Sequence, residues 1–343
     1  MSDDYLWNGS GEPDPEVQRL ESVLARFRHH RPAPLFPGRP PAWDRWRKVT
    51  FRLSLAAAAA MLVIVLAWFA RLPAPPGEQP GWQVTRLAGT PKIGDATVGG
   101  TGHLLVGQWL QTDEASRATL DVSTSGKVEI DGNTRIQLVE TRPGRHLLNL
   151  SRGTIHAMIW APPGQFVVDT PAARAVDLGC AYTLHVDDNG AGLVRVTFGW
   201  VGFEFKGRES FIPAGAVCAT QPGVGPGTPY FADASEGLRE ALAKLDFEQS
   251  SSASRAALLK EILAGPRKRD ALTLWHLLSR VSPEERDPVY RRLAALVPPP
   301  QGVTREGALQ GDRRMLDLWW NELGFGDINW WRERERAWPR QTP

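Results

Sequence analysis

ATLDVSTSGKVEIDGNTRIQLV, Ala118–Val139, reads as three short strands. Apolar and polar residues alternate in ATLDV, KVEI and RIQLV, and Ser125-Gly126 and Asp131-Gly132-Asn133 supply the turns. The same texture extends in both directions. LLNL (Leu147–Leu150), TIHAMI (Thr154–Ile159), QFVVDT (Gln165–Thr170) and LVRVTF (Leu193–Phe198) follow, with turn signals at Pro143-Gly144 and Asp188-Asn189-Gly190. Short strands at this spacing predict an all-β region over 82–222, closed as a sandwich or wound as a short β-solenoid.

Outward from that region the pattern changes twice. After QPGVGPGTP (Gln221–Pro229) the periodicity is helical over 233–343. Leu238, Leu242 and Leu245 mark one helix. Ala257, Leu258, Ile262 and Leu263 mark a second, and Leu272, Leu274, Trp275, Leu277 and Leu278 a third. Ser282, followed by Pro283 and Glu285, is a start signal for a fourth. Thr304 opens a last block in which Trp319, Trp320, Trp330 and Trp331 lie among arginines. Trp interleaved with Arg is the composition of an interface hot spot. The same residues also suit a small α-helical region that closes its core with large rings and covers them with arginine stems.

Before the β region, LSLAAAAAMLVIVLAWFA (Leu53–Ala70) carries no charge. As a helix it spans about 27 Å at ~1.5 Å per residue, close to the roughly 30 Å of a bilayer core once its flanks are added. A transmembrane helix is expected over 51–72, with Trp43, Trp46 and Trp68 at its interfaces. Arg39, Arg45, Arg47, Lys48 and Arg52 crowd its N-terminal side, against Arg71 and Arg86 on the other. The positive-inside rule then puts residues 1–50 in the cytoplasm and the C-terminus in the periplasm of an inner (cytoplasmic) membrane protein. Residues 73–81 are a proline-rich linker.

The tail is too short for a core of its own. Asp14 caps a predicted helix that Pro15 begins, and Val17, Leu20, Leu24 and Phe27 recur at helical spacing. RPAPLFPGRPPAW (Arg31–Trp43) is an extended tether. An apolar stripe with nothing in its own segment to cover it suits a partner's groove or the inner membrane surface.

Composition bounds the chemistry. The 343 residues carry a net charge of +2, which gives no global reason to expect nucleic acid. No P-loop, G-x-S-x-G, C-x-x-C or H-E-x-x-H string occurs, so no catalytic residue, metal ligand or cofactor site is expected, and the protein reads as a non-enzyme.

In order, VGQWLQTDEASRATLDVSTSGKVEIDGNTRIQLV (Val106–Val139), LLNLSRGTIHAMI (Leu147–Ile159), FVVDTPAARAVDLGCAYTLHV (Phe166–Val186), VRVTFGWVGFEF (Val194–Phe205) and FIPAGAV (Phe211–Val217) resemble the FecR family. The resemblance implies a membrane-bound regulator of an extracytoplasmic-function (ECF) sigma factor, bound by the cytoplasmic tail. The periplasmic part would receive the signal, in the best-known members from an outer-membrane TonB-dependent transporter. The partners implied are the sigma factor, the lipid bilayer and an envelope or outer-membrane protein. Two departures stand out: the tail lacks the H-x-x-x-C-x-x-C zinc signature of another anti-sigma class, and the C-terminal region is helical and Trp-rich. The rival expectation is an envelope structural module, or one that binds glycan or protein, with the tail an anchor only.

Cys180 replaces the threonine usual in the family after Leu178-Gly179, and Cys218 follows the PAGA segment. Both fall on the outer side by the topology above, where disulfides persist. A Cys180–Cys218 bond is expected, worth ~3–4 kcal/mol in the chain-entropy account, with two buried free thiols as the alternative.

Overall fold

The computed structural model describes residues 14–27, 80–249, 251–329 and 331–332. The apolar run at 53–70, the proline-rich tether and Trp330 lie outside these. Among the described residues no helix is long and apolar enough to cross a membrane. The chain divides into residues 1–76 and 77–343. Of the first unit the described part is α1 (Pro15–Leu24) and a 3-10 turn, Ala25–Phe27.

The second unit begins with strands, in chain order β1 (Gly81–Ala88), β2 (Lys92–Ile93), β3 (Ala96–Thr97), β4 (Thr101–Leu105), β5 (Trp109–Gln111), β6 (Arg117–Val122), β7 (Gly126–Ile130), β8 (Arg135–Arg142) and β9 (Arg145–Ile159). There follow β10 (Phe166–Asp169), β11 (Arg174–Asp177), β12 (Ala181–Val186), β13 (Gly192–Phe198), β14 (Trp200–Phe205), β15 (Arg208–Pro213), β16 (Ala216–Gln221), β17 (Gly225–Pro226) and β18 (Tyr230–Phe231). Alternation does what the sequence predicts. Ala118, Leu120 and Val122 of β6, Val128 and Ile130 of β7, and Tyr182, Leu184 and Val186 of β12 are buried, and their neighbours in sequence face outward.

Two sheets share one strand. The first runs β4-β1-β6-β7-β9-β12-β13-β16, with β17 and β18 on β16. The second runs β3-β2-β5-β8-β9-β10-β11-β14-β15. Arg145–Arg152 of β9 pair with β8, and Gly153–Ile159 pair with β12 and β7. The handover falls at Gly153, whose φ is +94° and where a Cβ would sit 2.3 Å from Thr134. Only glycine fits such a bend. Apart from the β10–β9 pair, every pairing between described strands is antiparallel. The region is therefore a pair of antiparallel sheets curled about a shared strand around one core, not a solenoid of stacked parallel strands.

Helices follow: α2 (Glu236–Phe247), α3 (Ser252–Ala264), α4 (Ala271–Leu278), α5 (Arg286–Leu296), α6 (Arg305–Gln310) and α7 (Arg313–Glu322). Their starts are capped by side chains that satisfy otherwise orphaned amides: Ser235, Ser251, Thr304 and Asp312 each accept from the backbone N–H three residues on. At the start signal read from Ser282, Pro283 and Glu285, Ser282 and Glu285 form a capping box on a 3-10 turn that leads into α5.

The helical region shares its core with the sheets. Phe211 of β15 meets Trp320, Trp331, Trp275 and His276 at ring separations of 5.6, 5.1, 6.1 and 6.1 Å. Trp331 lies on Gly202 of β14, where a Cβ would come within 2.1 Å of the indole. The expectation of a Trp-rich interface is corrected here: Trp319, Trp320 and Trp331 are 0%, 1% and 1% exposed. Trp320 and Trp331 are consumed in joining helices to sheet through Phe211 and Gly202, whereas Trp319 packs on Tyr290 of α5 at 5.4 Å and donates to the Val297 carbonyl at 3.2 Å within the helical region. Trp330 lies outside the described residues.

Candidate functional site

Of the residues predicted to bind a partner, Val17, Leu20 and Leu24 lie on α1 and Phe27 lies on the 3-10 turn that continues it. Asp14 adopts an extended conformation, φ −61° and ψ 136°, and its carboxylate accepts from the Glu16 N–H at 2.8 Å. Pro15 occupies the first helical position, where its missing N–H costs nothing. The helix carries Val17 half-buried, while Leu20, Leu24 and Phe27 are 61%, 59% and 80% exposed. Val23, 49% exposed, lies beside them and completes a stripe at 20, 23, 24 and 27. Its position follows the same i, i+3, i+4 pattern, so the stripe is one residue wider than periodicity from Val17, Leu20, Leu24 and Phe27 alone predicts. Glu16, Arg19, Glu21 and Arg26 occupy the other faces. Burying three such apolar side chains against a partner stabilises a complex by roughly 1.5–3 kcal/mol each.

The β region holds a buried titratable cluster that sequence pattern does not reveal. Asp177, at the end of β11, is 1% exposed. Its carboxylate accepts from the Gly179 N–H at 2.7 Å and from the Cys180 thiol at 2.6 Å. Burial pushes the Asp177 carboxyl up to about 7, against the lowering effect of these hydrogen bonds. Burial and the adjacent Asp177 push the Cys180 thiol well above its ordinary value. Tyr182 is 2% exposed, and its hydroxyl has no hydrogen-bond partner among the described residues. An aspartate closing the apolar strand RAVD is the one signal of this cluster in the sequence.

The expected disulfide is corrected: Cys180 and Cys218 are both buried free thiols. Cys218 of β16 pairs with Val194, and Val194 pairs with Leu184, four residues beyond Cys180. Two strand spacings and four residues separate the cysteines by roughly 10 Å across and 13 Å along the sheet. A disulfide tolerates ~7 Å between Cα atoms at most. The Cys218 thiol donates instead to the Gly227 carbonyl at 3.2 Å, and burial pushes it up to about 12. Alkylation followed by mass measurement is expected to modify neither thiol in the native protein and both after denaturation without reductant.

Where β15 meets the helices, a cleft of about 560 Å³ is walled by Lys206, Arg208, Arg280, Arg313 and Arg332. Its arginines are engaged in ion pairs: Arg208 with Asp246 at 2.6 Å, Arg313 and Arg332 with Glu209 at 3.2 and 3.0 Å, and Arg332 with Asp317 at 2.7 Å. Arg280 donates to Thr228, Ser210 and the Glu209 carbonyl. These contacts tie the helices to the sheet. Among the described residues no three His, Cys, Asp or Glu side chains are grouped to hold a metal ion.

Comparison with known proteins places a family on the β region. The FecR protein family matches residues 108–202, from just before β5 into β14. Two crystal structures of a candidate anti-sigma factor from Parabacteroides distasonis ATCC 8503 are similar at 13% identity and a TM-score of 0.32. One match covers 46% of this chain and 74% of the other, and the second covers 45% and 73%. No curated protein sequence matches the chain. The curled β region of this chain thus carries a FecR-family domain, spanning residues 108–202.

Proposed function

We propose that the chain is a single-pass regulator of an ECF sigma factor, anchored in the inner membrane by residues 53–70. Residues 1–50 lie in the cytoplasm and hold the sigma factor. The FecR domain lies in the periplasm, where it receives a signal from an envelope or outer-membrane protein. No step of this role requires catalysis.

The observation that carries this reading is the exposed stripe of α1, on a chain that also bears a FecR domain. The helix is capped and formed, yet Leu20, Leu24 and Phe27 remain largely in solvent. A ten-residue helix is marginal in water without a surface to cover its apolar face. A groove on a partner supplies that surface. The charge asymmetry around 53–70 supports placing the stripe on the cytoplasmic side, where the transcription machinery lies.

Replacing Leu20, Leu24 and Phe27 together by serine is expected to weaken sigma-factor binding at least 100-fold. The cost is three lost side-chain burials of roughly 1.5–3 kcal/mol each. A bacterial two-hybrid assay of the full chain against the sigma factors of its host reads this directly. Equal signals for wild type and the triple variant would favour an anchor-only tail and an envelope-binding role.

A further inference from the structure

The outer face of the first sheet carries an apolar patch at one rim. Laterally paired residues run as a single row across it: Gln83 of β1, Asp121 of β6, Lys127 of β7, Met158 of β9, Ala181 of β12 and Phe198 of β13. Met158 is 59% and Phe198 71% exposed. Trp160, two residues past Met158, is 59% exposed, and its indole N–H donates to the Thr124 carbonyl in the β6–β7 turn at 2.7 Å. The next row inward is polar, Glu129, His156, Thr183 and Arg195, and separates the rim from Leu193, 38% exposed one row further in.

Phe198 is exposed because of a defect in the ladder. Val194 and Val196 point into the core at 0% and 1% exposure, and simple alternation would carry Phe198 inward after them. The register shifts between Ala181 and Tyr182, which leaves Thr197 out of the ladder, its hydroxyl donating to the Ala181 carbonyl at 2.9 Å, and turns Phe198 outward. Holding a phenyl ring in water forgoes roughly 1.5–3 kcal/mol of burial. That loss is recovered when something apolar covers the ring.

The location identifies the cover. β1 starts at Gly81, two residues outside the same row and three strands from Met158, about 14 Å across the sheet. The chain therefore enters the domain at the rim that carries Met158, Trp160 and Phe198. The apolar run ends at Ala70, and the residues between it and Gly81 reach at most roughly 35 Å when extended. We propose that this rim rests on the outer leaflet of the bilayer, with Trp160, Phe198 and Met158 seated at the boundary between headgroups and acyl chains. Trp and other aromatic rings favour that depth, and the Lys127–Asp121 ion pair at 3.7 Å in the same row leaves no unpaired charge of either residue to oppose it. The assignment rests on the membrane span proposed above.

Site-specific fluorescence tests it on the full chain in liposomes. Cys180 and Cys218 are buried at 1% and 0% exposure, so a cysteine placed on the surface labels alone. Bimane on K127C probes the rim. Bimane on L87C, at the opposite end of β1 and 57% exposed, is the control. With lipids brominated near the headgroup, quenching at K127C is expected to exceed that at L87C at least threefold. The excess is expected to vanish in W160S/F198S. Equal quenching at the two sites overturns the proposal, as does quenching at K127C that persists in W160S/F198S. So does energy transfer between labelled copies, which would assign the patch to a second copy of the chain. A carbonate wash of the same liposomes separates the two levels of the argument. A chain released by carbonate removes the span and the proposal together, whereas a retained chain with equal quenching removes the docked rim alone.

Discussion

Trp320→Ala is expected to destabilise residues 77–343 by about 3–5 kcal/mol, the usual cost of emptying a large aromatic site, and to do so for sheet and helices alike. Trp320 projects from α7, 1% exposed, into a cage made of Trp275 at 4.8 Å, Phe211 at 5.6 Å, Phe325 at 5.7 Å and His276 at 5.8 Å. Phe211 comes from β15 and the rest from the helical region, so the cavity opens on the seam between them. The seam is also hydrogen-bonded. The Phe211 N–H donates to His276 Nε2 at 3.0 Å, which fixes the Nδ1–H tautomer that faces the Leu272 carbonyl at 2.8 Å. Burial and the neighbouring Arg280 hold the His276 imidazole well below its usual value, in keeping with that neutral acceptor role. Urea unfolding followed at once by helical circular dichroism and by near-ultraviolet Trp signals reads the result. Both midpoints are expected to fall together. A variant in which only the helical signal moves would show two separately stable regions.

Asp177→Asn is expected to reshape the pH dependence of stability. The carboxyl is pushed up to about 7 from an ordinary value of 3.8. The folded state therefore binds more protons than the unfolded state between those values. The sign follows: Asp177 carries no penalty below about pH 4, stability is lost as pH rises from there to about 7, and the loss is complete above 7. Holding a carboxyl that far above its ordinary value corresponds to about 4 kcal/mol. An asparagine oxygen still accepts from the Gly179 N–H and has no charge to bury. The variant is expected to match wild type near pH 4 and to be the more stable protein at pH 8, by an amount of that order. Taking the difference between the two proteins cancels the other groups. The buried His276 is one of these, and its depressed value acts in the opposite direction at low pH. Parallel profiles would show that the Asp177 carboxylate is stabilised where it sits.

Much of the fold is legible in the sequence. Alternation in ATLDV, KVEI and RIQLV locates β6, β7 and β8, and helical spacing with Ser282, Pro283 and Glu285 locates the turn before α5. LLNL and TIHAMI read as two separate runs in the sequence. They form the single strand β9, since at Gly153 the strand bends while the ladder passes from one sheet to the other. Local pattern contains no information on which sheet a strand serves.

The site is legible unevenly. Asp14, Leu20, Leu24 and Phe27 read as one capped, striped helix; Asp14 caps α1, Leu20 and Leu24 lie on it, and Phe27 follows on the 3-10 turn, because capping and periodicity are local properties. The cysteine pairing is not legible, since sequence separation says nothing about strand spacing. Asp177 and Phe198 escape sequence pattern for a related reason. One is set apart by burial beside Cys180 and the other by a one-residue slip against β12, and both effects arise only when strands meet.

The most direct test of the central claim is recovery of the sigma factor itself. The full chain, purified in nanodiscs and exposed to a lysate of its host, is eluted and its partners are identified by mass spectrometry. A parallel sample carries Leu20→Ser, Leu24→Ser and Phe27→Ser. An ECF sigma factor recovered stoichiometrically by wild type and lost from the triple variant is the expected result. Recovery of no sigma factor by wild type, or of equal amounts by both, would contradict it.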